Sequence, residues 1–434
     1  MHRLRLLALG TLLLTGLLLQ AQTRREDVRR CSDPNPETRI AACTALIKLG
    51  TIKEIQPEVP FYNRGLGYAD KHEYDRAIAD FDKALEINPK YTIALGNRGL
   101  TYMMKRDYNS AIKDFDETLR LDPRDLMALS NRGSAYLNNR DYDHALKDFD
   151  EALRVNPDYV PALNSRAGLY LNQHQYDRAM QDFDRALQVE PGNAQALANR
   201  GLLYLQRRDM QHAMVDLNQA VTLAPDYPLA LDNRGLAFVN QRDYERALTD
   251  LNRSLSLNPS DLMALNNRGL AYIGQRDFDK AIQDFTRLLS FNPNDLSALR
   301  NRGLAYSGKR DYEKAIGDFN LALELNPNDE ASLVNRGGAY MMQHDFDRAI
   351  KDYDQVLLVD PENAQVYNSR GFAHVNKQEY RKAIDDFDQS LRINPNDAFV
   401  YRNRGLAKQK IGDDGGAIFD LKRAKELNPA LGDK

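Results

Sequence analysis

The 434-residue sequence has no tryptophan, only two cysteines, and seven scattered histidines. None of these histidines makes a metal-ligand spacing or a catalytic pair, so no metal site and no enzyme centre is expected. Neither sign of charge dominates. The 59 Lys and Arg against 62 Asp and Glu leave a formal net charge of −3, and the pI is near 6.2. A balance of that kind gives no overall bias toward nucleic acid or an anionic membrane. A long apolar run is missing too. The only candidate, Leu6 to Leu19, is fourteen residues long, and a membrane-spanning helix needs about 20. What is present suits a soluble helical protein, with 42% hydrophobic and 28% charged residues. Tyrosines outnumber phenylalanines 22 to 15, as though one position had been copied many times.

Residues 1–22 read as a signal peptide: a basic start (His2, Arg3, Arg5), the apolar run, then polar Gln20-Ala21-Gln22. Ala21 is small but Leu19, two places before it, is not, which leaves an uncleaved anchor as the alternative. Such an anchor would be the chain's one route to a membrane. Export predicts a periplasmic or secreted protein. It also predicts that Cys31 and Cys43 form a disulfide, worth on the order of 3 kcal/mol through the short loop it closes.

Prolines recur every 34 residues, from Pro89 and Pro123 to Pro395 and Pro429, without insertion or deletion. We number each copy so that this proline falls at position 32. Position 8 is then Gly in ten copies and Ala167 in the fourth, and position 20 is Ala in all eleven. Position 11 is Tyr or Phe in nine copies, then His374 and Lys408, and position 24 is Phe, Leu or Tyr. This pattern resembles the tetratricopeptide repeat over residues 58–429, about 86% of the chain. The resemblance implies an all-α, right-handed superhelical solenoid of eleven helix-turn-helix repeats. Periodicity supports it independently. Positions 2–14 and 18–30 each read as a helix, with positions 4, 8 and 11 on one face of helix A and 20, 24 and 27 on one face of helix B. Asp or Asn at position 34 (Asp125, Asn193, Asp261, Asp295) caps the next helix A. A lone pair cannot bury its apolar face, so neighbours must stack. Residues 23–57 form an N-terminal capping segment with a helix from about Pro36 to Lys48, and residues 430–434 form a short tail.

The tripeptide Asn-Arg-Gly occupies positions 6 to 8 in most copies. The glycine permits close helix crossing. Arg stands at position 7 and Asp at position 23 in every copy, where the family usually has leucine at 7. The two predict partly buried ion pairs such as Arg98 with Asp114, Arg132 with Asp148 and Arg200 with Asp216, closed either within a repeat or onto the next one.

Asn at position 6 occurs nine times: Asn63, Asn97, Asn131, Asn199, Asn233, Asn267, Asn301, Asn335 and Asn403. The helical angle puts it on the side of helix A away from helix B, which the family resemblance makes the concave wall. A carboxamide there could grip both the N–H and the C=O of an extended peptide. The arrangement is similar to the asparagine ladder of tetratricopeptide superhelices that bind peptides through their backbones. The alternative reading has these amides bridging adjacent A helices. The residues with which the chaperone-binding branch of the family holds a C-terminal carboxylate are not in place. The resemblance thus implies a non-enzymatic interaction scaffold of the cell envelope, without cofactor or metal. Its expected partners are proteins or peptides, not nucleic acid, held in the groove or, alternatively, docked as folded proteins on the outer surface.

Overall fold

The computed structural model of the chain describes residues 22, 24–50 and 56–431. The expected signal segment, save Gln22, lies outside the described residues, as do the last three residues of the tail. No helix among the described residues is long and apolar enough to cross a membrane.

Every regular element among the described residues is helical. Between Val59 and Leu427 the helices come in eleven A–B pairs. In the second copy helix A is Thr92–Met104 and helix B is Tyr108–Leu121. Local chemistry sets these boundaries. Position 34 caps helix A where it is Asp or Asn: the carboxylate of Asp125 accepts from the Ala128 N–H at 2.9 Å. Position 16 caps helix B in the same way where it is Asp, as where Asp107 accepts from the Ser110 N–H; Glu73, Gln175 and Glu379 at this position make no such bond. Between the helices, position 15 takes a left-handed conformation in every copy. It is His72 (φ 59°), His174 and His344 in three copies, Arg or Gln in seven others and Gly412 in the last. The next N–H then reaches back to the carbonyl of position 11, as in Asp107 to Tyr102 at 2.9 Å. The histidines at position 15 are turn residues.

The alanine at position 20 is fully buried in every copy. In the pairs that lie within one unit and carry Gly at position 8, the side chain of position 24 packs against that glycine of helix A, as Phe115 does on Gly99. A Cβ added to Gly99 would sit 2.8 Å from Phe115 Cε1, and one on Gly303 2.6 Å from Phe319 Cε1. The repeated glycine therefore makes room for an aromatic ring of helix B, a more specific task than close helix approach.

The chain divides into two compact units, the first ending at Arg207 and the second beginning at Arg208. The division falls inside the fifth copy, between helix A (Ala194–Gln206) and helix B (Met210–Leu223). In the first unit the array is headed by helix Pro36–Leu49, whose N-cap Asn35 accepts from the N–H groups of Glu37 and Thr38. Cys43 of this helix is bonded to Cys31, and both are fully buried. This helix packs on the first copy through Ile40 against Gly67 and an Arg39–Asp70 ion pair of 2.8 Å.

A left-handed residue other than glycine carries a conformational cost of about 1–2 kcal/mol. Replacing Arg310 (φ 65°), which is exposed, by glycine relieves that cost against a smaller loss from the freer unfolded chain. Chemical denaturation of Arg310→Gly should show a net gain of about 0.5–1 kcal/mol.

Candidate functional site

The arginine at position 7 makes three directed contacts. Its Nε and Nη2 form a fork onto the two carboxylate oxygens of position 23 in the same copy. In Arg98–Asp114 these distances are 2.9 and 2.6 Å, and in Arg132–Asp148 they are 2.8 and 2.7 Å. The pairs of Arg64, Arg166, Arg234, Arg268, Arg302, Arg336, Arg370 and Arg404 repeat this geometry. In the fifth copy Arg200 belongs to the first unit, and buried Asp216 to the second.

The remaining nitrogen, Nη1, donates backwards to position 25 of the preceding copy. Arg132 reaches Asp116 at 2.6 Å, Arg166 reaches Asp150 at 2.6 Å and Arg200 reaches Asp184 at 2.8 Å. In the second to fourth and sixth to eleventh copies each guanidinium thus closes a pair within its repeat and also ties that repeat to its predecessor. Of the two placements left open for the Arg–Asp pair, it closes within the repeat; the contact between repeats goes to a different residue, position 25 of the preceding copy. In the first copy there is no preceding helix B, and Thr44 of the capping helix accepts from Arg64 Nη1 at 3.3 Å. Hydrogen bonding to Asp148 holds the Arg132 guanidinium above its ordinary range although burial opposes it. The repeated Asp-Phe-Asp tripeptide divides this work: its first carboxylate serves its own repeat's arginine and its second serves the next one.

The asparagines at position 6 lie on a stripe with positions 2, 9 and 13, at helical spacings of three and four. They are not equally accessible. Asn233, Asn267 and Asn301 are buried, whereas Asn63, Asn97, Asn131, Asn199, Asn335 and Asn403 are half-exposed. Several make the bridge between A helices that was the alternative reading. Asn97 Nδ2 donates to the Tyr62 hydroxyl at 3.2 Å and to the Ile93 carbonyl at 2.9 Å. Asn301 donates to Asn266 Oδ1 at 3.2 Å, and Asn403 to Asn368 Oδ1 at 3.3 Å. In all three the partner side chain is position 5 of the preceding copy. Asn63 points at the cap instead, 3.4 Å from the Ser32 hydroxyl. The donor half of these amides is therefore engaged within the protein.

Around them the stripe exposes apolar side chains that belong to no core cluster. In the first unit these are Ile93, Met104 and Met127. In the second unit Phe372, Phe399 and Leu406 stand 43–58% exposed in the last two copies. Among the described residues no group of His, Cys, Asp and Glu is placed to hold a metal ion.

Tetratricopeptide repeat profiles match residues 60–91, 93–125, 127–159, 149–181, 167–232, 233–295, 270–335, 331–363 and 364–397. The chain belongs to the tetratricopeptide repeat family. Its fold is similar to that in the crystal structure of the APC/C hetero-tetramer Cut9–Hcn1, with a TM-score of 0.55 and 17% identity over 89% of this chain and 86% of that one. A tetratricopeptide repeat protein from Parabacteroides merdae aligns over 57% of this chain and 98% of its own, at 24% identity and a TM-score of 0.45. The MamA protein aligns over 39% and 92%, at 23% identity and a TM-score of 0.37. No curated protein sequence matches the chain. Tetratricopeptide repeat proteins mediate protein–protein interactions and are typically non-catalytic scaffolds.

One repeat junction in the second unit departs from the rest. Position 5 in the fourth copy is Asn164, whose Nδ2 donates to the N-cap Asn193 at 3.2 Å. In the eighth it is Arg300, paired with the N-cap Asp329 at 3.5 Å. In the sixth it is Asp232, 2% exposed, facing the N-cap Asp261. Burial pushes the Asp232 carboxyl up to about 7; the Ser254 hydroxyl eases this shift and the Asp261 carboxylate adds to it.

Two outcomes follow for this tetratricopeptide repeat array. Truncating one half of a pair, as in Arg302→Leu or Asp318→Leu, leaves a nearly buried charge alone and should cost roughly 3 kcal/mol. The double mutant should recover at least about 1 kcal/mol of the summed loss in a denaturation cycle. For Asp232 the folded pKa lies above the unfolded value. Its favourable, protonated contribution is complete below about pH 4 and is lost as pH rises through about 7. Asp232→Asn should therefore be more stable than the parent at pH 8, by about 1–3 kcal/mol. The thermal midpoints of the two proteins should draw together toward pH 4.

Proposed function

We propose that the A-helix stripe binds an extended or unfolded protein segment, and that the protein acts as an exported, non-enzymatic scaffold of the cell envelope. The observation that carries this reading is the row of exposed apolar side chains beside half-exposed asparagines, most concentrated at Phe372, Phe399 and Leu406 around Asn403. Solvated apolar groups of this size are unfavourable unless something covers them. A neighbouring amide suits a ligand with free backbone groups. Because Asn403 directs its Nδ2 to Asn368, its carbonyl is the half offered to a ligand. The stripe accordingly takes backbone N–H groups along one edge of a strand and alternate apolar side chains between them. Each such bond nets about 0.5–1.5 kcal/mol, and ordering the segment offsets much of it, so affinity falls on the micromolar scale. Export rests on the N-terminal apolar segment and on the Cys31–Cys43 pair, which favours an oxidising compartment.

Exposed apolar residues also occur on B helices, with Leu358 83% and Val359 65% exposed. They favour the second reading, a folded partner on the outer surface. Reduced, carboxymethylated lactalbumin serves as a permanently unfolded probe in fluorescence anisotropy. Phe399→Asp and Phe372→Asp should each weaken its binding at least about fivefold and Asn403→Ala about threefold, without loss of helical signal, while Leu358→Asp leaves it unchanged. Undiminished binding in the Phe variants, or loss only in Leu358→Asp, would overturn the stripe.

A further inference from the structure

Within each unit, adjoining copies meet in one recurrent way. The leucine or valine at position 28 of helix B packs on positions 3 and 4 of the following helix A, as Leu391 does on Val400 and Tyr401. The acceptor at position 25 takes Nη1 of the following Arg at position 7, as Asp388 takes Arg404 at 2.5 Å. The aliphatic side chain at position 21 completes the contact beside position 10, as Ile384 lies beside Ala407. In ten copies position 25 is Asp, Asn or Thr, always an acceptor, and position 28 is Leu or Val.

Helix B of the eleventh copy, Asp414–Leu427, breaks both rules. Position 25 is Lys422 and position 28 is Lys425, while position 21 remains apolar as Ile418. Among the described residues only a short 3-10 turn, Pro429–Leu431, follows this helix, and no further helix A. Ile418 is 67% exposed, where its counterpart Ile384 is half-buried, and the adjoining Phe419 is 66% exposed. The copy as a whole holds seven basic side chains against four acidic ones, in a chain whose net charge is negative. Lys422 would repel the arginine that every copy of this repeat presents at position 7. The face is thus built against another repeat of its own kind while it keeps the apolar contact of a junction.

We propose that this face of the eleventh copy's helix B is a docking face for an acidic amphipathic helix of a partner protein. The occupant lies where a twelfth helix A would lie. It offers a carboxylate to Lys422 in place of the usual guanidinium, a second carboxylate one turn earlier toward Lys425, and an apolar residue three positions after the first carboxylate onto Ile418. Its recognition pattern is two acids three or four residues apart followed by an apolar residue, all on one helical face. This surface is separate from the A-helix stripe, so it stands or falls independently of the peptide-binding reading.

The test uses the full chain and two stapled helical peptides copied from its own Ala398–Lys410 helix. One keeps the parental sequence; the other carries Arg404→Glu and Tyr401→Glu. By isothermal titration the acidic peptide should bind at least tenfold more tightly than the parental one, and raising the salt to about 0.5 M should erase most of that difference. Lys422→Asp in the full chain should reverse the preference, and Ile418→Ser should weaken both peptides. Circular dichroism shows whether each variant retains its fold; both positions are exposed. Equal affinity for the two peptides, no binding of either, or a preference indifferent to Lys422→Asp would overturn the proposal. So would self-association of the parent chain through this face in sedimentation velocity, because the occupant would then be a second copy.

Discussion

The array depends on one geometric fact: a guanidinium has five donors in a rigid fork, and a carboxylate on one helix can use only part of it. Two of the donors of Arg98 satisfy Asp114 on the paired helix and a third satisfies Asp82 on the helix before. A single side chain thus fixes the register of helix A against both of its B neighbours. An apolar contact would hold the helices together without choosing among nearby registers, whereas a fork tolerates little displacement. A leucine at this position would supply burial only. The net stability gained from the exchange is modest, because burying charge opposes it. What the fork adds is one defined geometry, repeated.

Variation among the copies separates the two halves of this linkage. Position 23 is Asp in all eleven copies, and in the ten forks that close within one unit its side chain is at most 9% exposed. Position 25 is Asp at Asp82, Asp116, Asp150 and Asp184, then Asn218, Asn252, Thr286 and Asn320, then Asp354 and Asp388. A buried cation needs a full compensating charge within reach, so position 23 admits no neutral substitute. Position 25 is about half exposed where it is Asp and receives one nitrogen. There a lone pair is enough and water supplies the rest. Thr286 accepts from Arg302 at 3.2 Å, and Asn320 from Arg336 at 2.7 Å.

Much of this is legible in the chain's own periodicity. The 34-residue period, the helix pairs, the caps at position 34 and the matched Arg and Asp columns follow from spacing alone. The backward contact to position 25 is not legible there, since it needs the distance between two helices that sequence separates by an entire turn and loop. Glycine at position 8 reads as a general aid to close packing; its actual neighbour, the ring of position 24, is set by the crossing of the two helices. The left-handed residue at position 15 is hidden because His72, Arg106 and Gln378 carry no mark of it. Only Gly412 in the last copy displays the requirement openly.

Asparagine at position 6 shows where periodicity stops being informative. Its column is nearly uniform, yet Asn233 is fully buried while Asn403 is half-exposed and bridged to Asn368. The difference arises from the neighbours. At position 5 the chain places Tyr62, Asn266 and Asn368 before Asn97, Asn301 and Asn403, and each of these residues accepts the following amide. Position 5 varies freely across the array, including Gly96, Asp232 and Arg300. A repeated residue whose partners vary does not do one job nine times. In the second unit exposed apolar side chains flank a partly exposed amide in the ninth copy, where Met342 stands beside Asn335, and in the eleventh, where Phe399 and Leu406 stand beside Asn403.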